Sequence, residues 1–339
     1  MTKPSNRIGL FLAVSCVLSL GLVLGVEGTD AGAQQQVEMR VATVAPEGTP
    51  WEQQLRRFKS NIEQASGGRI RVKMFMGGSL GGEKALVRRT AQNSIQGFGG
   101  STAALGTMVP QLNVIEAPFL FSNSRQADRA LDGPAKGIVQ SLVEGQGFKF
   151  GFWAENGFRS WFTRERPIRT PADLNGLRMR SQEALVHLET YRALGATPVP
   201  IDVTNVLTSL QTGAVDGFDN TPLYAFATSW YQAAGHLFLS RHAYQPGIIV
   251  FSKAWYDGLS GDLQSALTSI EQSEVQEGRQ AVRQMDPVLV RNLGRQRVEV
   301  HTPSDEELAP FREATSGVAD AVARRAGSRA AELLRALRR

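Results

Sequence analysis

In the stretch Asp173 to Leu188, "DLNGLRMRSQEALVHL", Arg178 and Arg180 alternate with Leu177 and Met179. Side chains alternate across a strand, so a strand that buries Leu177 and Met179 aims both guanidinium groups at its other face. Two readings stand at this point. One is a solvated face whose arginines pair with neighbouring helices. The other is a carboxylate clamp, because the planar fork of guanidinium donors matches a carboxylate and binds it more strongly in a closed cleft.

Other chemistry finds little support in residue types and spacing. The four histidines, His187, His236, His242 and His301, are scattered, with no pair at the helical spacing of a zinc site. No "GxSxG" elbow is present, and no two acids stand out as a glycosidase pair. "GGSLGGEKAL" places Gly77 and Gly82 at the spacing of a phosphate loop, but Glu83 holds the position that needs a lysine. "GFGGST" lacks the dinucleotide spacing, although its small residues would let a ligand approach the backbone. Catalysis is thus unsupported by residue types and spacing, which single out no catalytic residue, no cofactor site and no metal site; an enzyme, such as a hydrolase acting on an acidic substrate, stays open as the alternative.

At 339 residues, 42% apolar and 20% charged, the chain has the makeup of a globular protein and length enough for two domains. A net charge of +5 and a pI near 9.5 would suit an anionic partner. Nucleic acid is not expected, since no Lys/Arg block with interleaved aromatics occurs, and the C-terminal "ARRAGSRAAELLRALRR" reads as a helix with a solvated Arg face.

Residues 1–33 read as an export signal: Lys3 and Arg7, then an apolar run from Ile8 to Val26, then Ala31 and Ala33 before Gln34. The run is also long enough to span a bilayer, which leaves a retained anchor as the alternative. Cys16, preceded by "LAVS", makes a poor lipoprotein site, and it is the only cysteine. With the signal removed, disulfides drop out, and no later segment is long and apolar enough to insert in a membrane.

The elements that must position the arginines follow an α/β pattern. "VEMRVATV" alternates as a strand; "TPWEQQLRRFKSNIEQASGG" is a helix with Thr49 as cap, Pro50 first, Glu52 third, and Gly67-Gly68 as the stop. "RIRVKMFM" is the next strand, completing the strand-helix-strand unit of a parallel sheet. "EKALVRRTAQNS" reads as helix, and "IQGFGGS", "GFKFGFWAE", "LRMRS", "ATPVPI", "GAVDGFDN" and "GIIVFS" read as strands. One long helix is expected over Ser260 to Asn292, kinked at Pro287. Two domains without a linker segment suggest several chain crossings and a cleft between the domains.

Several segments together resemble the extracytoplasmic solute receptors of tripartite ATP-independent periplasmic (TRAP) transporters, the DctP-like family. They are "APEGTP" (Ala45 to Pro50), "GGRIRVKMF" leading to "GGSLGGE", "APFLF", "NGFR", "TPADLNGLRMR", "LGATPVPI", "LQTGAVDGFDN" and "SRH", in the family's order across nearly the whole chain after the signal. The resemblance implies a two-lobed α/β periplasmic binding fold with a ligand cleft between the lobes and a long helix spanning both. Lobe I would comprise residues 34–156 and 246–285, and lobe II residues 157–245 and 286–339. It further implies that Arg180 binds a ligand carboxylate, with Arg159 and Asn220 as further contacts and His242 on the cleft side. Phe158 becomes an apolar wall, as does Trp153 unless it is a core residue. Glu83, Ser101 and Glu183 become the variable part of the pocket, with Glu183 paired to Arg159 or accepting from a ligand hydroxyl or ammonium group. Arg178 has no ligand role in the family and stays structural.

Two departures bear on the ligand. Gln96 stands where an acid is common, and "GFGGSTAALG" has no basic side chain near Ala104, against a sialic-acid-type ligand. A monocarboxylate carrying hydroxyl or amino groups, or a keto acid, is expected over a dicarboxylate, for want of a second cationic clamp. The implied setting is the periplasm and the implied partners are the TRAP transporter's membrane subunits, with another importer or a sensor as the alternative recipient.

Overall fold

The computed structural model describes residues 36–339, so the expectations about the signal segment, a retained anchor and Cys16 lie outside it. Strand β1 (Val37–Thr43) leads into helix α1 (Pro50–Ala65), whose Thr49 side chain accepts from the Glu52 amide while Glu52 accepts from the Gly48 amide. Leu55, Phe58 and Ile62 lie on one face of α1 and are buried, with Phe58 5.3 Å from Phe152 and 5.9 Å from Phe251. Each such side chain contributes about 1.5–3 kcal/mol by leaving water. Gly67 and Gly68, both at positive φ, turn the chain into β2 (Ile70–Phe75), which pairs in parallel with β1.

Helix α2 (Glu83–Ala91) and strands β3 (Gly97–Ser101), β4 (Phe148–Thr163), β5 (Arg178–Ser181), β6 (Thr197–Pro200), β7 (Gly217–Asn220), β8 (His236–Ser252) and β9 (Glu299–His301) follow. They form one nine-stranded sheet in the order β2-β1-β3-β8-β4-β7-β5-β6, with β9 beside β8. The antiparallel pair β4 and β8 is far longer than the short strands read from sequence. Pro246 lies inside β8, and it is tolerated where the register slips between Glu155 and Gly157, since a bulge needs no ladder donor there. Pro198 and Pro200 sit on β6, at the end of the sheet, for the same reason.

This topology gives a two-lobed α/β fold. The parallel set β2-β1-β3 joins β8 over Gly247–Phe251, and the parallel set β5, β6 and β7 joins β4 over Ser160–Thr163. Trp161, Leu177, Met179, Tyr191, Phe238 and Phe311 form a smaller core apart from the main one. The carboxyl ends of β1, β3, β5 and β7 therefore face one another across the middle of the β4–β8 pair, where ligands of open α/β sheets bind.

The expected single helix over Ser260 to Asn292 is two, Gly261–Thr268 and Gln272–Arg295. Glu271 takes an extended conformation as the second helix's cap, and Ile270 packs back on the core. The longer helix runs on through Pro287 and touches α1, β4 and β9. The C-terminal basic run is also two helices, Val318–Ala326 and Ser328–Leu337, split at Gly327 (φ 92°). No helix among the described residues is long and apolar enough to cross a membrane.

Candidate functional site

Arg180 sits on β5 beside the fully buried Met179 and is itself only 2% exposed. Its Nε donates to the Ile201 carbonyl at 3.0 Å, and the guanidinium lies 5.4 Å from the centre of the Trp230 ring. Among the described residues no carboxylate lies within ion-pair distance of it, so its two terminal nitrogens face the cleft without a countercharge. Burial, reinforced by the Arg159 cation nearby, pulls its pKa down to about 10, which leaves it charged at neutral pH. Arg178, on the exposed end of the same strand, is bound to Asp216 at 2.6 Å and to the Gly213 carbonyl at 2.8 Å.

Arg159, on β4 and 1% exposed, differs in having its charge matched. Nε donates to Asp219 at 2.5 Å, one terminal nitrogen donates to the Asp219 carbonyl at 2.6 Å, and the other donates to Gln245 at 2.9 Å and Gln182 at 3.2 Å. Asp219 also accepts from the Tyr191 hydroxyl at 2.8 Å. Burial works to raise the Asp219 pKa, but the Arg159 cation, with His242 3.6 Å away, holds it well below the usual range. Glu116, equally buried, accepts from Thr102, the Ala103 amide and Gln245, and shares a 2.9 Å contact with His187. Burial opposes its ionisation, and His187 beside it wins, so its pKa is lowered.

Glu83, the first residue of α2, reaches the end of β3. It accepts from the Ser101 amide at 2.7 Å, the Ser101 hydroxyl at 3.0 Å and Gln182 at 2.9 Å. Burial raises its pKa against those donors. Asn220 ends β7, with its carbonyl oxygen accepting from the Thr221 amide at 2.8 Å and from Asn156 at 3.3 Å. Glu83, Ser101, Asn156 and Asn220, with Arg159, Arg180, Gln182 and Gln245 and with Trp51, Leu223 and Tyr224 as apolar walls, line one cleft.

Of the residues singled out from sequence, Arg180, Arg159, Asn220, Glu83 and Ser101 line this one cleft. Glu183 lines a smaller adjoining chamber at the rim and pairs with Lys84 at 3.1 Å rather than with Arg159. The chain has left β5 by that point, which directs Glu183 outward. His242 stands behind Asp219, stacked on Trp161 at 4.1 Å and bonded to Ser240 at 2.9 Å, away from the cleft wall. Burial pulls its pKa down despite Asp219. Phe158 lies on the other side of β4, edge-on to Tyr244 at 5.2 Å, in a separate depression with Arg241 and Arg283. Trp153 is a core residue against Phe150. Gln96, just before β3 and between β1 and β8, accepts from the Arg40 amide and side chain.

Asp219, Gln182, Gln245 and Asn156 belong to the site or its support without being singled out by any of the sequence motifs. Asp219 has a signal, since buried arginines are normally paired and "VDGFDN" offers a carboxylate next to Asn220. The three amides carry no pattern that separates them from surface residues.

The family model for bacterial extracellular solute-binding proteins, family 7, matches residues 41–325. A solute-binding protein of Verminephrobacter eiseniae is 32% identical over 236 residues, 70% of each chain. The sugar acid binding protein of Advenella mimigardefordensis, solved with galactonate, superposes with a TM-score of 0.84 at 27% identity, covering 89% of this chain and 98% of its own. A TRAP periplasmic solute-binding protein of Roseobacter denitrificans, solved with β-D-glucuronate, gives a TM-score of 0.84 at 25% identity, covering 89% and 99%. With its fold and most of its length matched, the chain belongs to family 7 of the bacterial extracellular solute-binding proteins and is a periplasmic receptor of the TRAP type.

Proposed function

We propose that this receptor captures a hydroxylated monocarboxylate of the sugar-acid kind and passes it unchanged to the membrane subunits of a TRAP transporter. The observation that carries it is Arg180, a buried cation with free terminal donors in a cleft. A ligand carboxylate supplies the missing countercharge through two parallel charge-assisted hydrogen bonds. The charge count supports a single carboxylate. Asp219 neutralises Arg159, and Lys84 is paired to Glu183, so no second free cation faces the cleft among the described residues.

The remaining wall suits hydroxyl groups. Glu83 accepts three bonds and keeps a lone pair to spare, the Asn220 amide nitrogen is a directional donor, and Arg159 holds its neighbouring amides in place, while Ser101 is spent on Glu83, Gln182 and the Ala104 amide. Trp51, Leu223 and Tyr224 suit the C–H face of a polyol chain. The galactonate and glucuronate seen in two similar structures are of this class. His242, Phe158 and Glu183, being off this wall, act on the ligand only indirectly. Lobe I as residues 34–156 and 246–285, and lobe II as 157–245 and 286–339, would hinge where β4 and β8 slip register beside Gly157 (φ 109°).

The test is calorimetric titration with a panel of aldonates, uronates, keto acids and C4 dicarboxylates, with Arg180→Ala beside the parent. Sugar acids should bind the parent and not the variant, and should be recovered chemically intact. Equal affinity in both proteins, or turnover of the ligand, would refute the proposal.

A further inference from the structure

Gln182 spans the cleft. Its side chain follows β5 on one side, and its amide nitrogen donates across to Glu83 at 2.9 Å and to the Ser101 hydroxyl at 2.9 Å on the other. Its carbonyl oxygen accepts from Arg159 at 3.2 Å and Gln245 at 2.9 Å. The orientation of the carboxamide is therefore decided chemically. Arg159 can only donate and an ionised Glu83 can only accept, so a flip would oppose like groups at both ends. The group is 9% exposed and satisfied at both ends, which makes it a rigid bar rather than a mobile side chain.

The bar separates two spaces. The larger chamber, with Trp51, Asn220 and Tyr224, and the smaller one, with Lys84, Thr107 and Glu183, meet only along Glu83, Arg180, Gln182 and Val203. Arg180 borders both, so an acid anchored there could extend into either chamber, and the Glu83–Gln182 bridge stands between the two routes.

We propose that Gln182 is a specificity-determining partition, confining the ligand to the larger chamber and so limiting the length of acid the receptor accepts. This rests on the acid-binding function above. Without the carboxamide, Glu83 keeps its Ser101 contacts, and the two chambers become one polar cleft able to take an acid extended by a further sugar unit. The smaller chamber presents polar groups suited to sugar hydroxyls, the Lys84–Glu183 pair and the Thr107 hydroxyl.

The experiment titrates the parent, Gln182→Ala and Gln182→Asn with erythronate, galactonate and lactobionate, an aldonate carrying a second sugar ring. Asparagine keeps the amide chemistry but is one methylene too short to bridge, and it serves as the readout if the alanine variant folds poorly. The Kd of lactobionate relative to the better-bound short acid should fall by about tenfold or more in the variants. An unchanged ratio in folded variants, with the parent binding a short acid, overturns the partition and leaves the acid-receptor function intact. If the parent binds none of the acids, and Arg180→Ala behaves like the parent, the receptor chemistry itself is wrong and the partition falls with it.

Discussion

The Asp219 carboxylate closes on Arg159 at 2.5 Å, with both side chains 1% exposed, while Arg180 in the same cleft has no acid of its own among the described residues. One arginine is thereby structural in its charge and the other is left to the ligand. Breaking the buried pair should be costly, because it strands a charge in low dielectric. Asp219→Asn is expected to destabilise the protein by about 3–5 kcal/mol, read from urea unfolding; a loss under about 1 kcal/mol, as for a surface pair, would contradict this.

Arg180 should behave in the opposite way. Its burial without a countercharge is a cost the free protein bears, so Arg180→Ala is expected to raise or leave unchanged the melting temperature of the unliganded protein while removing acid binding. Arg180→Lys keeps the charge but not the planar fork, and should weaken binding by about 1–3 kcal/mol. Calorimetric Kd values beside thermal melts separate the two effects, and a strong destabilisation of free Arg180→Ala would show that the Ile201 and Trp230 contacts outweigh the cost of the uncompensated charge.

Acid should unfold the molecule in two stages. His242 has a folded pKa below its ordinary 6.5, so the unfolded chain takes up the proton first. Its contribution is complete above pH 6.5 and is lost as pH falls through the folded value. Asp219, held well below 3.8, contributes fully above its ordinary pKa and gives way only in stronger acid. His242→Gln should remove the early decline and leave the late one, checked by denaturation midpoints from pH 7 to pH 3. A profile identical to that of the parent would discard the His242 stage.

Closure has its own marker in Gly82, at the start of α2. A Cβ there would overlap the Asp202 carboxylate, which comes from beyond β6 across the cleft, yet the backbone of Gly82 (φ −75°, ψ 170°) is open to any residue. Gly82→Ala should therefore spare the fold and weaken ligand binding by about 1–3 kcal/mol, the cost of overpacking. Adding Asp202→Ala should restore it. A double-mutant cycle reads this coupling directly, and additive effects would place the clash elsewhere.

Much of the local structure was legible in the residues. Helix α1 announces itself through Thr49, Pro50, Glu52 and the two glycines, because a cap is a short-range arrangement of a few neighbours. Long β4 and β8 were not legible, since Pro246 and the polar "SRHAYQ" run contradict strand propensity and are accommodated only by cross-strand pairing and a bulge. The break at 269–271 was missed because nothing local marks it; packing of Ile270 makes it.

The sequence by itself determined the α/β class, the family motifs and the clamp candidate Arg180, because propensities, caps and motif order are written in neighbouring residues. Tertiary structure alone decided which arginine is free. Asp219 lies 60 residues from Arg159, and the pairing of β4 with β7 brings them together. It also decided that His242 and Phe158 turn away from the cleft, and that Gln182, an unremarkable amide in the sequence, bridges it to Glu83 from 99 residues away. Contacts at such separations depend on strand order and register, and these emerge from burying the whole sheet rather than from any one segment of it.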